Sequence, residues 1–166
     1  MPHLPTDPFT DPDYTDRFEL VTSDPIRSID AFVTDLVLRQ PSWLTALSMG
    51  LGRRSRRRTA LDDVRAGRAD ALGKWAVLER SDRHIVFGED MRIMRYRLTF
   101  RSTDASSMTA ETEVEQSTRW FGPLYWALAA PLHRRFVPMM LRNAGGGGST
   151  VHDVTDGFRS NRAALG

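Results

Sequence analysis

The chain has 166 residues, 40% of them hydrophobic and 27% charged, and its net charge is +2. This length suits one core and is too short for two comfortable domains, and the composition is that of a globular protein. The absence of cysteine excludes disulfides, thiolate catalysis and thiolate metal sites. The acidic, proline-rich N-terminus does not resemble a secretory signal, and no segment has the ~20 apolar residues of a membrane-spanning helix, so we expect a cytoplasmic protein.

The first part of the chain predicts an arm, one strand and two short helices. Residues 1–13 contain four prolines and little to bury, which predicts a flexible arm. Residues 14–22 alternate loosely and predict a strand. Asp24 and Pro25 are typical of a helix start, and one buried helix face follows, formed by Ile29, Phe32, Val33, Leu36 and Val37. Pro41 ends this helix and begins a second one, which carries Trp43, Leu44, Leu47 and Leu51.

The middle of the chain predicts a four-stranded meander, at about residues 74–80, 84–90, 92–101 and 107–117. In the last two strands, apolar and charged residues alternate with period two, which predicts an antiparallel hairpin with a charged outer face. A turn centred on Asp104 pairs Arg95 with Glu113 and Arg97 with Glu111. The same register pairs the inner residues Leu98 with Ala110 and Phe100 with Met108.

The segment from Trp120 to Leu141 predicts a long C-terminal helix, with a kink at Pro131. Its sheet-covering face is predicted to consist of Phe121, Leu124, Tyr125, Leu128 and Leu132. Trp120, Trp126 and Ala130 then need cover from the N-terminal strand and helices, from a partner or from lipid. The N-terminal elements are favoured, and a homodimer contact is the second choice. Residues 144–166 begin with a glycine run and are interpreted as a flexible tail, which leaves one domain at residues 14–143.

A curved antiparallel sheet closed by one long helix predicts a cavity between the two. Ala110 and Thr112 are small in mid-strand, where a closed core needs bulk, and this favours open space beside them. Such a cavity suits an amphipathic ligand such as a fatty acid, an isoprenoid or a polyketide-like ring. The residues predicted to line it are Trp75, Phe87, Glu89, Tyr96, Leu98, Phe100, Ala110, Thr112, Tyr125, Leu128 and His133.

Glu89, Tyr96 and His133 form the only plausible acid–base set in the sequence. Glu89 points inward with Ile85 and Phe87, or it lies at the rim past the end of the strand. His133 needs a carboxylate or hydroxyl partner to act as a base, and no neighbour in sequence supplies one, so a structural role is favoured. The four histidines lack metal-ligand spacing, and no nucleotide-binding motif is present, so neither a metal nor another cofactor is expected.

The densest charge in the chain is a run of arginines, Arg53, Arg54, Arg56, Arg57 and Arg58. Such a run can neutralise phosphates of nucleic acid or of an anionic membrane. No aromatic residues interleave with it, as a single-strand binder would require, so specific nucleic-acid binding is not expected. A solvated loop is the favoured interpretation.

From residue 72 onward the chain resembles a known family. The resemblance rests on residues 72–77, 84–91, 96–100 and 112–116, and above all on a C-terminal pattern of Gly122, Tyr125, Trp126, Pro131, His133 and Arg134. These residues resemble the DUF2867 group of the START-like (SRPBCC, Bet v 1-like) superfamily. The resemblance implies an α+β helix-grip fold, with an antiparallel sheet, two short N-terminal helices and a long kinked C-terminal helix over the sheet. It implies no catalytic residue.

Three classes of function follow. The leading hypothesis is a non-enzymatic module that binds a small hydrophobic or amphipathic molecule in the predicted cavity. The second is an enzyme of cyclase or dehydratase type that uses the same cavity. The third is an interaction protein that contacts an anionic membrane or a partner protein through the arginine run and the apolar helix. A monomer and a homodimer are both compatible with the sequence.

Overall fold

The structure, a computed structural model, describes residues 9–40, 61–91, 93–118 and 121–155, with the backbone alone at 121–123, 125 and 126. Two helices and seven strands have both ends in these ranges, and residues 61–65 add a short helical segment. The helices are α1 (Ile29–Leu38) and α2 (Phe121–Gly145). The strands are β1 (Tyr14–Val21), β2 (Ala71–Leu72), β3 (Trp75–Arg80), β4 (His84–Met91), β5 (Met94–Ser102), β6 (Ser107–Gln116) and β7 (Thr150–Asp153).

The strands form one antiparallel sheet in the order β2-β3-β4-β5-β6-β1-β7. The predicted meander is therefore confirmed, and β1 continues the sheet beyond β6. Both described helices lie on one side of the sheet, which we call the inner face, and their residues share a core with it. The α+β class predicted from the sequence is confirmed, and a C-terminal helix packed on an antiparallel sheet is consistent with a helix-grip-like fold.

The register of the β5–β6 hairpin differs from the prediction by two residues. Arg97 lies opposite Glu113 instead of Glu111, and Arg95 lies opposite Glu115. On the inner face, Leu98 pairs with Thr112, and Phe100 pairs with Ala110. Because side chains alternate with period two, a two-residue shift keeps every residue on its predicted face and changes only its partner.

The loop of this hairpin explains the shift. The Asp104 carboxylate accepts a hydrogen bond from the Ser106 backbone N–H at 2.7 Å, and Thr103 N–H donates to the Ser107 carbonyl at 3.0 Å. Asp104 therefore starts a side-chain-stabilised turn instead of standing at its centre. The predicted turn centre was wrong by one residue, which doubles to a two-residue shift in the pairing.

Helix α1 buries the predicted face but begins four residues later than predicted. Ser28 is its N-cap, and the Ser28 hydroxyl accepts the Ala31 backbone N–H at 3.1 Å. Upstream, the Ile26 N–H donates to the Ala105 carbonyl at 2.7 Å, which ties the segment after Asp24 to the hairpin loop and keeps it out of the helix. The second predicted helix, from Pro41 onward, and the whole arginine run lie outside the described residues.

Helix α2 continues through Pro131 and Pro138 and packs mainly against α1, β1 and β7. The face predicted to cover the sheet is wrong, because Leu124, Leu128 and Leu132 are exposed. The helix instead presents the opposite side to the protein, where the residues that contact the two apolar clusters of the inner face are Ala129, Ala130, Val137, Met140, Leu141 and Ala144. The kink at Pro131 stays a prediction.

Residues at both ends of the predicted domain also contact the sheet. Thr150–Asp153, which were interpreted as part of a flexible tail, form the edge strand β7 beside β1. At the other end, Phe9 is buried with the Arg95 guanidinium over its ring, and Asp13 accepts the Gln116 backbone N–H at 2.7 Å. Phe9 and Asp13 were both assigned to the arm on composition, which carries no information about such long-range pairing.

Apolar residues on the inner face form two clusters. The larger one lies under α1 and contains Phe18, Phe87 and Phe100. The smaller one is formed by Tyr14, Met94 and Val114, with Ala129 and Ala130 of α2 packed against it. Tyr96 contacts both clusters, and polar side chains of the inner face lie at this boundary.

Candidate functional site

Strand β1 places a carboxylate on the inner face. The alternation of β1 points Tyr14, Asp16, Phe18 and Leu20 inward, and all four side chains are buried. Asp16 is thus an acidic residue in the middle of an apolar row. A buried carboxylate is costly unless hydrogen bonds or an opposite charge replace its hydration, so the partners of Asp16 define the chemistry of this part of the protein.

Two side chains donate to one oxygen of Asp16. The Tyr14 hydroxyl donates to Oδ2 at 2.8 Å, and the His133 Nδ1 lies 2.8 Å from the same atom. Because a carboxylate only accepts, Nδ1 carries the hydrogen of this bond. The second oxygen, Oδ1, is buried and has no hydrogen-bond partner. Asp16 therefore fixes the orientation and tautomer of His133 through Oδ2, while its Oδ1 remains without a hydrogen bond.

Arg134 completes this group, which we call the β1–α2 cluster (Tyr14, Asp16, His133 and Arg134). The Arg134 Nε donates to the Tyr14 hydroxyl at 3.2 Å, and its guanidinium lies 5.7 Å from the centre of the Tyr14 ring. Burial raises the pKa of Tyr14 above its ordinary value, and the charge of Asp16 adds to the rise. Tyr14 is therefore a neutral hydroxyl donor, and its hydrogen bond in turn raises the pKa of Arg134.

A second polar group, the β4–β5 cluster (Lys74, Glu89 and Tyr96), lies across the sheet. Glu89 Oε2 accepts the Tyr96 hydroxyl at 2.5 Å and lies 3.2 Å from the Lys74 Nζ. The Trp75 ring meets the Tyr96 ring edge-on, with 6.3 Å between centres. The buried Trp75 Nε1 has no hydrogen-bond partner, so an unsatisfied donor lies beside this cluster.

The two clusters occupy the same level of the sheet. Cross-strand pairing connects Glu89 to Tyr96, Tyr96 to Val114, and Val114 to Tyr14. Three strand spacings of about 4.8 Å separate β4 from β1, so the ends of this row are roughly 14 Å apart along the sheet. Thr112, which pairs with both Leu98 and Asp16, is buried at the adjacent level. A small molecule of ordinary size can span the distance between the two clusters.

The structure brings most of the predicted cavity residues to one surface. The members on the inner face are Trp75, Phe87, Glu89, Tyr96, Leu98, Phe100, Ala110 and Thr112. Leu128 is not among them because it is exposed on the far side of α2. The side chain of Tyr125 lies outside the described residues. His133 reaches the inner face from α2, but it pairs with Asp16 and not with Glu89 or Tyr96.

Ala110 has a structural explanation that the sequence did not reveal. It is paired with Phe18 on one side and with Phe100 on the other, and all three side chains belong to the larger apolar cluster. A small residue between two phenylalanines completes close packing instead of leaving space. The inner-face surface that remains a candidate for ligand binding is therefore the boundary between the apolar clusters, near Tyr96, Leu98 and Thr112.

Sequence reasoning missed Asp16, Tyr14 and Lys74. The signal for Asp16 was present, because the alternation of β1 places it on the apolar face and a carboxylate there requires an explanation. Its partnership with His133 was not readable, because the two residues are 117 positions apart. Lys74 reaches Glu89 from the β2–β3 turn, a contact that depends on tertiary structure alone.

Within the described ranges, no group of three or more His, Asp or Glu side chains is arranged to hold a metal ion. No helix among the same residues is long and apolar enough to cross a membrane.

The fold and the site define an α+β protein with a helix-grip-like arrangement, whose inner sheet face carries two polar clusters at the boundary between two apolar ones. Residues 8–140 match the family described as "Protein of unknown function (DUF2867)", and the chain belongs to this family. Neither the curated proteins nor the solved structures contain a match to the chain.

Proposed function

We propose that this protein binds a small amphipathic molecule on the inner face of its sheet and does not change it chemically. The ligand lies along the row between the β1–α2 cluster and the β4–β5 cluster, with its apolar part against Leu98, Thr112 and Tyr96. The protein is a member of the START-like superfamily in this proposal and works in the cytoplasm. The order of one strand, a helix, a meander and a long helix on the inner face supports that assignment.

The observation that carries the proposal is the buried Asp16 at the boundary between the apolar clusters. Its Oδ1 has no hydrogen-bond partner, and the buried Trp75 Nε1 has none either. Asp30, Gln40, Arg80, Arg97 and Ser149 also have such atoms, but Asp16 Oδ1 and Trp75 Nε1 are the ones that belong to inner-face residues of the predicted binding surface or its neighbours. Each unsatisfied buried polar atom costs about 1–3 kcal/mol. A ligand that donates to Asp16 recovers part of this cost on binding. Few polar groups in an apolar surface are also the usual composition of a small-molecule site.

The charges of the two clusters narrow the ligand class. Asp16 and Glu89 are both carboxylates, and each is a hydrogen-bond acceptor. Arg134 and Lys74 give each cluster a cation as well. A ligand with a hydroxyl group can donate to Asp16 Oδ1, whereas the ionised carboxylate of a fatty acid only accepts hydrogen bonds and cannot. At the Asp16 end of the row, hydroxylated isoprenoids and phenolic, polyketide-like rings are therefore favoured over fatty acids.

Native mass spectrometry of the purified protein, before and after organic extraction, tests this proposal directly. We expect a bound molecule of a few hundred daltons, or its uptake from a mixture of isoprenoid alcohols, phenolic compounds and fatty acids. Thr112→Phe fills the space beside Asp16 and should abolish uptake. Thr109→Phe is the matched control, because Thr109 lies on the outer face of the same strand.

A second variant keeps the test informative if Thr112→Phe does not fold. Glu89→Gln removes a charge of the β4–β5 cluster and should weaken the affinity roughly fivefold, the equivalent of one hydrogen bond. Absence of any bound compound in the wild type, together with no uptake from the mixture, contradicts the proposal.

A second candidate function is acid–base catalysis, favoured by the bond between Asp16 and His133. A buried carboxylate that holds Nδ1–H prepares the other ring nitrogen to take a proton from a bound substrate. One quarter of the His133 side chain is exposed. Incubation of the ligand mixture with wild type and with His133→Gln, followed by mass analysis of the recovered compounds, separates the two functions. A carrier returns the same compounds from both proteins, whereas an enzyme yields a product only with the wild type.

A further inference from the structure

Helix α2 has an apolar face that none of the other described residues covers. Leu124, Leu128 and Leu132 are 62%, 71% and 56% exposed, and Ala127 and Pro131 beside them are exposed as well. Isolated exposed leucines need no explanation, but here they follow one another at a spacing of four residues and form a continuous stripe. We call this stripe, with its basic continuation described next, the outer face of α2.

The same face becomes basic toward the C-terminal end of the helix. With 3.6 residues per turn, Leu124, Leu128, Arg135 and Arg142 all fall within roughly 40° of one another around the axis. Arg135 and Arg142 are both exposed. The helix contains no Asp or Glu, so its charged side chains are arginines and, when it is protonated, His133. One face thus combines leucines in its first half with arginines in its second half.

We propose that the outer face of α2 docks on the surface of an anionic lipid bilayer. The leucines insert at the boundary between headgroups and acyl chains, and the arginines contact the lipid phosphates. This combination of an apolar stripe and cationic side chains without acidic ones is typical of helices that lie in the membrane interface.

The charges favour a bilayer over a second copy of this chain. Two copies packed through the same face would bring Arg135 and Arg142 of each against a helix that contains no acidic residue. An anionic bilayer supplies both requirements of the face at once, which are apolar volume for the leucines and negative charge for the arginines. This proposal does not depend on the ligand proposed above.

Flotation with vesicles of phosphatidylcholine, with and without 30% phosphatidylserine, tests the proposal. The full chain should float with the anionic vesicles and not with the neutral ones, and the bound fraction should fall between low and physiological salt. Leu124→Ser, Leu128→Ser and Leu132→Ser together should reduce partitioning roughly tenfold or more. Arg135→Glu should reduce it roughly fivefold, and so should Arg142→Glu.

Matched controls separate this face from general hydrophobicity and charge. Leu38→Ser changes another leucine that is 50% exposed, and Arg83→Glu and Arg101→Glu change exposed arginines of the sheet region. These variants should bind vesicles like the wild type. Unchanged melting temperatures show that all the variants are folded.

A separate variant changes Arg53, Arg54, Arg56, Arg57 and Arg58 to Gln. If that variant alone loses binding while the leucine and Arg135 variants keep it, the outer face of α2 is not the docking surface. Absence of flotation with anionic vesicles, or dimerisation in light scattering that the leucine variant abolishes, also overturns the proposal. In the second case the face binds another copy of the chain instead of lipid.

Discussion

The two faces of the sheet both carry acidic residues, but in opposite physical situations. On the outer face, charges pair across strands: Arg17 with Glu111 at 2.8 Å, Arg95 with Glu115, and Arg97 with both Glu79 at 3.3 Å and Glu113 at 3.7 Å. On the inner face, Asp16 is fully buried, and the Glu89 side chain is 15% exposed. The outer carboxylates are bridged by arginines, whereas Asp16 relies on Tyr14 and His133.

This difference indicates which charges maintain the fold and which point to function. The exposed pairs of Arg17 with Glu111 and of Arg95 with Glu115 lie where water remains near, so each contributes little to stability. Arg97 is the exception on this face, because it is buried and its Nε and Nη1 have no hydrogen-bond partner. A buried carboxylate with one unsatisfied oxygen is not explained by folding requirements, because an apolar residue would pack there at lower cost. Residues of this kind mark candidate binding sites.

The strongest test of the comparison removes the inner carboxylate. Asp16→Ala leaves the Tyr14 hydroxyl and the His133 Nδ1 without their acceptor, and should lower the free energy of unfolding by about 2–4 kcal/mol. Asp35→Ala is the control, since the Asp35 side chain is 45% exposed and forms a 3.4 Å pair with Arg39. Urea denaturation measures both. A loss below about 1 kcal/mol for Asp16→Ala would show that the cluster does not contribute as the geometry indicates.

Overpacking of the inner face gives the next largest effect. Ala110→Phe places a third large ring between Phe18 and Phe100, and should destabilise the protein by about 1–3 kcal/mol. Thr109→Phe, one residue away on the outer face, should cost much less. Thermal unfolding of the two variants compares the faces at neighbouring positions. Equal stability of both variants would mean that there is space beside Ala110 after all.

A pH titration sharpens the comparison on the outer face. Burial raises the pKa of Glu113 above its ordinary value of 4.5, although the nearby Arg97 opposes the shift. A raised pKa means that the folded state binds the Glu113 proton more tightly than the unfolded state does. Protonation of Glu113 therefore stabilises the fold at low pH, and this contribution to the free energy of unfolding is lost as the pH rises above 4.5. Glu113→Gln mimics the protonated form at every pH. Its stability relative to wild type should therefore increase as the pH rises from about 4 to 7.

The control for this titration is Glu115→Gln, because Glu115 is more exposed than Glu113. Denaturation curves at several pH values measure the difference from wild type. A relative stability of Glu113→Gln that decreases with rising pH would show that its pairing with Arg97 outweighs its burial.

The smallest effect is expected for the exposed pair between Arg17 and Glu111. The two side chains are 50% and 28% exposed, so a double-mutant cycle with Arg17→Ala and Glu111→Ala should give a coupling energy of about 0.2–1 kcal/mol. The coupling should decrease further at high salt. A value clearly above this range would place the outer-face charges in the same class as Asp16 and remove the contrast between the two faces.

The sequence by itself determined the elements whose signal is local. Period-two alternation identified the strands of the meander and the correct face of every residue in the β5–β6 hairpin. The spacing of Ile29, Phe32, Val33, Leu36 and Val37 identified the buried face of α1. These patterns are readable because burial repeats with the period of the backbone.

Only the tertiary structure decided the rest. The hairpin register depended on the Asp104 turn, which a pattern of alternation cannot resolve to better than two residues. The orientation of α2 could not be predicted, because the first half of the helix is apolar on all sides. In the structure the small Ala129 and Ala130 face the sheet, where they allow a closer approach than the leucines would. Strand β7 exists because the edge of β1 is available to pair with it. The bond between Asp16 and His133 joins residues 117 positions apart, and only the packing of α2 against β1 brings them within hydrogen-bonding distance.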